Sequence, residues 1–390
     1  MTMHVARLDD VCEINPRMPK SISDDDIAAF LPMAAVSEDG LIDFEEKRPV
    51  REVKRGYTYF ERGDVLVAKI TPCFENGKAA RTSELTRPFG FGSTEFHVLR
   101  AGKEVDPSYL FHLIWNSKFR EVGANNMTGS AGQKRVPTDF LKRLEIPLPP
   151  LPEQRRIAAI LDKADALRRK RKRAIELLDS LTQSIFKEMF GGQSRQIYAP
   201  ITELADLQVG FAFKSSEYTD ASDGVKLCRG TNVLPGEIDW SDLAKWPKTR
   251  AGEFSSFELR VGDVVVAMDR PWISSGFKVA QLTESDVPSL LVQRVARLRA
   301  RQKTDRAYLL AIVTSTEFSQ HLKPTETTVP HISPIEIRQY AAPIPSDRER
   351  ASFSAAISKV DGMRLRTRNA IEEAVSLFSS LQSRAFSGRL

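Results

Sequence analysis

The chain has 390 residues, 41% of them hydrophobic, and 57 Lys and Arg against 51 Asp and Glu leave a net charge of +6. That apolar content can bury a core and excludes disordered and collagen-like chains, while the length suits about two or three domains. Three distant cysteines, Cys12, Cys73 and Cys228, exclude a disulfide framework and a Cys-x-x-Cys metal site; no apolar run nears the ~20 residues of a membrane span, Met1 to Asp10 holds no signal-like apolar block, and a reducing cytoplasm is expected.

In chain order, residues 1–150 are rich in Gly, Pro, Phe and Trp. They carry short β-type runs, Val65-Leu66-Val67 and Phe96-His97-Val98-Leu99, and a predicted short helix from Pro107 to Ser117. From Glu153 to Phe190, apolar residues step by three and four through Ile157, Ile160, Leu161, Ala164, Leu167, Ala174, Ile175, Leu178, Leu181 and Ile185, which predicts one amphipathic helix. Prolines from Pro147 to Pro152 mark its start and Gly191-Gly192 its end. A helix of this length is ~57 Å long and needs a partner of similar size. Residues 193–346 repeat the globular pattern, with β-type runs Val264-Val265-Val266 and Val292 to Leu298 and a short helix predicted from Thr304 to Ser315. Beyond them, Phe353, Ala356, Ile357, Val360, Met363, Ala370, Ile371, Ala374, Leu377 and Leu381 form a second stripe.

The halves are one repeat. An offset of 196 places Pro147-Leu148-Pro149 on Pro343-Ile344-Pro345, Asp165 on Asp361, Arg168 on Arg364 and Phe190 on Phe386, and an offset of 199 places Gly63-Asp64-Val65-Leu66-Val67-Ala68 on Gly262-Asp263-Val264-Val265-Val266-Ala267. The expected fold is α+β: two mixed α/β domains, 1–150 and 193–346, separated by two long helices, 151–192 and 347–390, that pair antiparallel as an intramolecular coiled coil.

Catalytic constellations are missing from the sequence. It has no HExxH motif and no phosphate-cradling glycine loop; Asn76-Gly77-Lys78-Ala79 lacks both the leading glycine and the hydroxyl, and Gly90-Phe91-Gly92 lacks the third glycine of a dinucleotide loop. The only Pro-Pro pair, Pro149-Pro150, follows a leucine, which excludes the amide-binding loop of a DNA methyltransferase, and no Pro-Asp pair opens a nuclease motif. The five histidines show no ligand spacing. The chain reads as a binder, not an enzyme.

The segment Ile146-Pro147-Leu148-Pro149-Pro150-Leu151-Pro152-Glu153-Gln154-Arg155-Arg156-Ile157, leading into a long basic helix, closely resembles the linker of the specificity subunits of type I restriction-modification enzymes. Gly92-Ser93-Thr94-Glu95-Phe96, the loop from Gly129 to Pro137 and the two GDV strands are similar to that family's target-recognition domains. The resemblance spans essentially the whole chain. It implies two target-recognition domains, each reading one half of a split DNA site, with the helices as a ruler that docks methyltransferase subunits; AdoMet, ATP and Mg²⁺ would then belong to the methyltransferase and endonuclease subunits. The second linker, Pro343-Ile344-Pro345-Ser346-Asp347-Arg348-Glu349-Arg350, lacks the double proline and the Glu-Gln. The second loop, Thr325 to Ile332, shares little with the first, which implies that the halves read different bases.

Base recognition needs polar side chains on loops, and affinity needs cations opposite phosphates. The candidates in or beside turns are Lys69, Lys78, Arg81, Gln133, Lys134 and Arg135 in the first domain, and Arg229, Arg270, Lys278, Thr327, Thr328 and His331 in the second. Gln133 and Lys134 stand out, because Gln pairs bidentately with adenine and Lys with guanine. Pro149, Pro152, Glu153, Gln154, Arg155, Arg169 and Arg171 are the candidates for partner docking or spacing. The run from Arg168 to Arg173 covers more than one turn, so it suits either a phosphate-facing patch or an interruption that fixes helix register; Arg364, Arg366 and Arg368 occupy the matching region. Rod length would set the gap between half-sites, at roughly 10 bp between their centres. The alternative is a coiled-coil scaffold whose heads bind polypeptides; DNA binding, unlike that, weakens steeply between about 50 and 200 mM salt.

Overall fold

A computed structural model describes residues 4–130, 132–191, 197–324 and 330–390. The chain forms two compact units, Met1–Lys172 with Asn369–Leu390, and Arg173–Arg368. Each long helix therefore gives one half of its length to each unit.

In the first unit an antiparallel sheet runs in the order Cys12–Ile14, Phe96–Ala101, Val65–Ala68, Ala79–Arg81. A mixed sheet runs in the order Glu46–Pro49, Ile27–Leu31, Phe89–Gly92, Thr58–Glu61, with the middle pair parallel. The strand Val65–Ala68 is buried at every position because its two faces serve two cores. Val65 and Val67 pack with the helix Pro107–Trp115, while Leu66 and Ala68 pack with Phe60, Phe96 and Val98. A strand covered on both faces reads as an unbroken apolar run, as this one does. Asp106 starts the helix by accepting from the backbone N–H groups of Ser108 and Tyr109, and Asn116 ends it by capping the next helix, Ser117–Asn125.

The second unit repeats the plan. Its antiparallel sheet runs Ala205–Val209, Val295–Ala300, Val264–Ala267, Val279–Gln281, and the same division of faces gives Val264 and Val266 to one core and Val265 and Ala267 to another. The helix Asp305–Val313 matches Pro107–Trp115. Both domains are clasped where they meet their helices: Val5–Arg7 pairs with Glu145–Pro147, and Tyr198–Pro200 with Ala341–Pro343. Tyr109 and Tyr308 each donate a hydroxyl hydrogen bond of 2.8 Å to the last proline carbonyl, that of Pro147 or Pro343.

The long helices are Leu151–Phe190 and Asp347–Phe386. The first starts two residues before Glu153, with Pro152 inside its first turn, where a missing N–H costs nothing. In the first unit Arg156 reaches the Leu390 carbonyl at 2.9 Å, Arg168 lies 5.9 Å from the Phe378 ring, and Arg171 donates to the Ala370 carbonyl; rising numbers meet falling ones, so the segments are antiparallel. In the second unit Arg364 bonds Asp179 at 2.8 Å, and Phe190 meets Phe353 edge-on at 5.5 Å, again antiparallel. The fold is α+β, with two mixed domains and a long antiparallel helix pair. The predicted stripes need three corrections: Leu167, Met363 and Leu377 are exposed. Phe378, one residue past Leu377, fills the seam between Trp115 and His112.

Candidate DNA interface

In the first unit the segment after the strand Val65–Ala68 forms a platform. Lys69 donates its N–H to Glu95 at 2.9 Å and accepts from Val136 at 2.8 Å, and Thr71 donates to the Lys134 carbonyl at 3.0 Å. The loop docked there is a hairpin closed by reciprocal bonds between Thr128 and Arg135, of 3.0 and 2.8 Å. Gly129 and Gly132 have φ of +124° and +82°, a region that only glycine enters without strain, so the tight turn requires both. The exposed Gln133 and Lys134 stand on its return arm.

The loop is braced by the Gly92-to-Phe96 motif. Arg135 grips the Glu95 carboxylate through Nε at 3.0 Å and Nη2 at 2.8 Å, and these hydrogen bonds hold the Glu95 carboxyl below its ordinary range. His97 is buried, and burial pushes its pKa down. Its Nε2 lies 2.8 Å from the Val136 carbonyl, which can only accept, so Nε2 carries the proton and Nδ1 faces Asn15 Nδ2 at 3.3 Å. His97 thus supports the loop and is not a free base.

The second unit builds the same platform from different residues. Arg270 donates its N–H to the Pro330 carbonyl at 2.8 Å, Ile332 donates to Met268 at 2.9 Å, and Asp269 bridges to His331 as Ile70 bridges to Arg135. Arg270 is exposed and has φ +44°. Thr327 and Thr328 lie outside the described residues. The structure therefore brings Lys69, Gln133, Lys134 and Arg135 together in one unit, and Arg270 and His331 in the other.

Other candidates have partners within the protein away from the platform. Arg81 is paired with Asp162 on the long helix at 3.0 Å and with Ser108 at 3.0 Å, and is committed to the domain-to-helix junction. Lys278 is buried and donates to the Gly230 carbonyl. Arg229 pairs with Asp242 at 2.9 Å, and the half-buried Lys78 reaches the Met33 carbonyl at 3.3 Å. Long cationic side chains find partners distant in sequence, and turn position alone does not reveal them.

Among the docking candidates, Gln154 is fully buried. It accepts from the Asp106 N–H and donates to the carbonyls of Glu104 and Pro149, which makes it an internal clamp and not a contact surface. Arg169 pairs with Asp165 at 2.9 Å, Arg171 binds the Ala370 carbonyl, and Glu153 pairs with Arg156 at 2.8 Å. Pro152 and Arg155 are exposed and remain accessible to a partner. Within the basic run, Arg168 is held by Asp165 at 2.8 Å and Asp39 at 3.0 Å, and Lys172 by Asp39 at 2.6 Å. Arg364 repeats the pair within its own helix with Asp361, but its second partner, Asp179, lies on the other long helix and not in a globular part. Arg364 thus ties the two long helices together, Arg168 ties its helix to the globular part, and Lys170 and Arg173 stay exposed.

The reading of residues missed one pair that recurs in both units. Arg100 grips Asp64 through two bonds of 2.9 Å, and Arg299 grips Asp263 at 2.8 and 2.7 Å. The signal was present, because Leu99-Arg100-Ala101 returns as Leu298-Arg299-Ala300 at the same offset of 199 as the GDV strands. Among the described residues no group of three or more His, Cys, Asp or Glu could hold a metal ion, and no helix is long and apolar enough to cross a membrane.

Comparison with known proteins places this architecture. The profile of the type I restriction modification DNA specificity domain matches residues 2–177. The EcoAI specificity subunit of Escherichia coli is 28% identical over 451 aligned residues, covering 90% of this chain and 75% of that protein. The first part of the chain therefore carries a type I restriction modification DNA specificity domain, and the chain is similar to type I specificity subunits over most of its length. The EcoEI specificity subunit of Escherichia coli is 42% identical over 159 residues, 40% of this chain and 26% of that subunit. A solved chain from a type I restriction-modification system shares the fold, with a TM-score of 0.59 at 22% identity over 99% of this chain and 98% of that one.

Proposed function

We propose that this chain is a specificity subunit that reads a split DNA duplex site, each unit addressing one half through its loop platform, and has no catalytic activity of its own. The observation that carries the reading is the repeated platform: in both units a loop arm of different sequence is hydrogen-bonded onto the turn after a GDV strand. Equivalent scaffolding with different exposed residues suits two readers of two half-sites. Gln133 and Lys134 contact bases in the first half, and Lys69, Arg270 and His331 contact the duplex. The long helices set the gap and, with Pro152 and Arg155 at the first helix start, dock methyltransferase subunits. Endonuclease subunits complete the assembly. AdoMet, ATP and Mg²⁺ belong to those partners, and the assembly acts on DNA in the cytoplasm.

The test is a matched insertion of four residues after Arg173 and after Arg368. It adds about 6 Å to each helix, equivalent to one or two base pairs of spacer. The methylated sites of the assembled enzyme should keep both half-sequences and gain one or two base pairs between them. An unchanged gap in an active enzyme overturns the ruler.

A further inference from the structure

At the end of the second unit's sheet opposite its candidate reading loop, Arg260, Arg299, Arg301, Lys303 and Arg306 converge with Asp206 and Asp263 around an open cleft of about 330 Å³. Two of these cations are occupied: Arg299 grips Asp263, and Arg301 lies 3.0 Å from Asp206. Arg260, Lys303 and Arg306 have no carboxylate partner among the described residues. The Arg306 side chain lies against Gly262, where a Cβ would come within 2.9 Å of it.

A further cation stands behind them on the same strand. Arg297 is only 6% exposed, and its Nε and Nη1 have no hydrogen-bond partner. The first repeat has the core residue Val98 at this position. Burial, and then the charges of Arg299 and Arg260, push the Arg297 pKa down, which places it in the field of the cleft. A buried unpaired guanidinium is costly unless a counter-charge answers it.

The first repeat inverts the arrangement. At the offset of 199, Arg260, Lys303, Arg301 and Arg306 become Glu61, Glu104, Gly102 and Pro107, and Glu13 faces Arg100 across the strands as Asp206 faces Arg299. One cation there meets four carboxylates, where the second repeat sets five cations against two. A ligand common to both repeats would meet opposite charges, so the cleft serves the second repeat alone.

We propose that this cleft is a binding site for a phosphate group, held by Arg260, Lys303 and Arg306. Guanidinium forks converging with an ammonium suit a compact multiply charged oxyanion. The four-residue strand Val264–Ala267 separates Asp263 from the platform turn by about 13 Å, so this site is distinct from the reading loop. The phosphate comes either from the backbone of a bound duplex or from a free phosphate compound.

The test titrates sodium pyrophosphate into the full chain by calorimetry, for the wild type and the triple variant Arg260→Ala, Lys303→Ala, Arg306→Ala. One saturable site, weakened at least tenfold in the variant, supports the proposal. No saturable binding to wild type, or equal binding by a variant that melts like wild type, overturns it. A parallel titration with a 40-bp duplex distinguishes the sources. A log–log salt slope lowered by about one per lost contact assigns the phosphate to DNA, and an unchanged slope assigns it to a free compound. Lys134→Ala should keep pyrophosphate binding, so failure at the reading loop and failure at the cleft are separable.

Discussion

Asp162→Asn tests how the first globular part is pinned to its helix. The carboxylate accepts from His112 Nε2 at 2.9 Å and pairs with Arg81 at 3.0 Å. Burial raises the Asp162 pKa, but the hydrogen bonds from His112 and Arg81 outweigh it and hold the value at about 2, below the ordinary 3.8. A folded value below the unfolded one gives stability that is fully present above the unfolded pKa and is lost as pH falls through the folded one. The full shift corresponds to about 2.4 kcal/mol, and because the side chain is 38% exposed, solvent screening reduces this to about 1 kcal/mol. At pH 7 the variant should melt roughly 2–4 °C below wild type. Scanning calorimetry from pH 7 to 3 should find that deficit constant down to about pH 5 and narrowing below pH 4. The second repeat offers no counterpart, having Ala280, Ala311 and Ser358 at the matching positions. Equal melting temperatures at pH 7, or a deficit that does not change down to pH 3, would refute the reasoning.

Two further outcomes follow from burial. Phe378→Ala should cost about 3–5 kcal/mol in urea unfolding because it empties the seam beside Trp115, whereas Leu377→Ala, at an exposed site, should stay within about 0.5 kcal/mol; comparable losses would place the seam wrongly. Burial pushes the thiols of Cys12 and Cys228 up to about 12, so iodoacetamide at pH 8 should label Cys73 alone in the folded chain, as read by mass spectrometry. Fast labelling of Cys12 or Cys228 without unfolding would contradict the packing of both cores.

What could be read from residues alone was whatever repeats or alternates. The two GDV runs, the matching short helices and both long stripes depend on local periodicity, and the offsets of 196 and 199 exposed the duplication. The seam was misplaced by one residue at Leu377 because a straight count of threes and fours drifts along a long helix. The tighter spacing of Phe353, Ile357, Val360, Ala374, Phe378 and Ala385 is what stays buried. The assignment of cations was the least legible part. Arg81, Arg135 and Lys278 sit beside turns as a phosphate contact should, yet Asp162, Glu95 and the Gly230 carbonyl hold them, and those partners lie between 40 and 81 residues away. Gln154 belongs to the linker that carries the family resemblance, but its amide is spent inside the first unit.

The most direct measurement selects bound sequences from a random duplex pool with the subunit assembled with its methyltransferase partners, comparing wild type with Gln133→Ala and Lys134→Ala. Wild type should select two short motifs at a fixed gap, and each variant should relax preference within one motif while the other and the gap stay unchanged. A single continuous motif, or variants that alter both halves together, would contradict the assignment of one half-site to each unit.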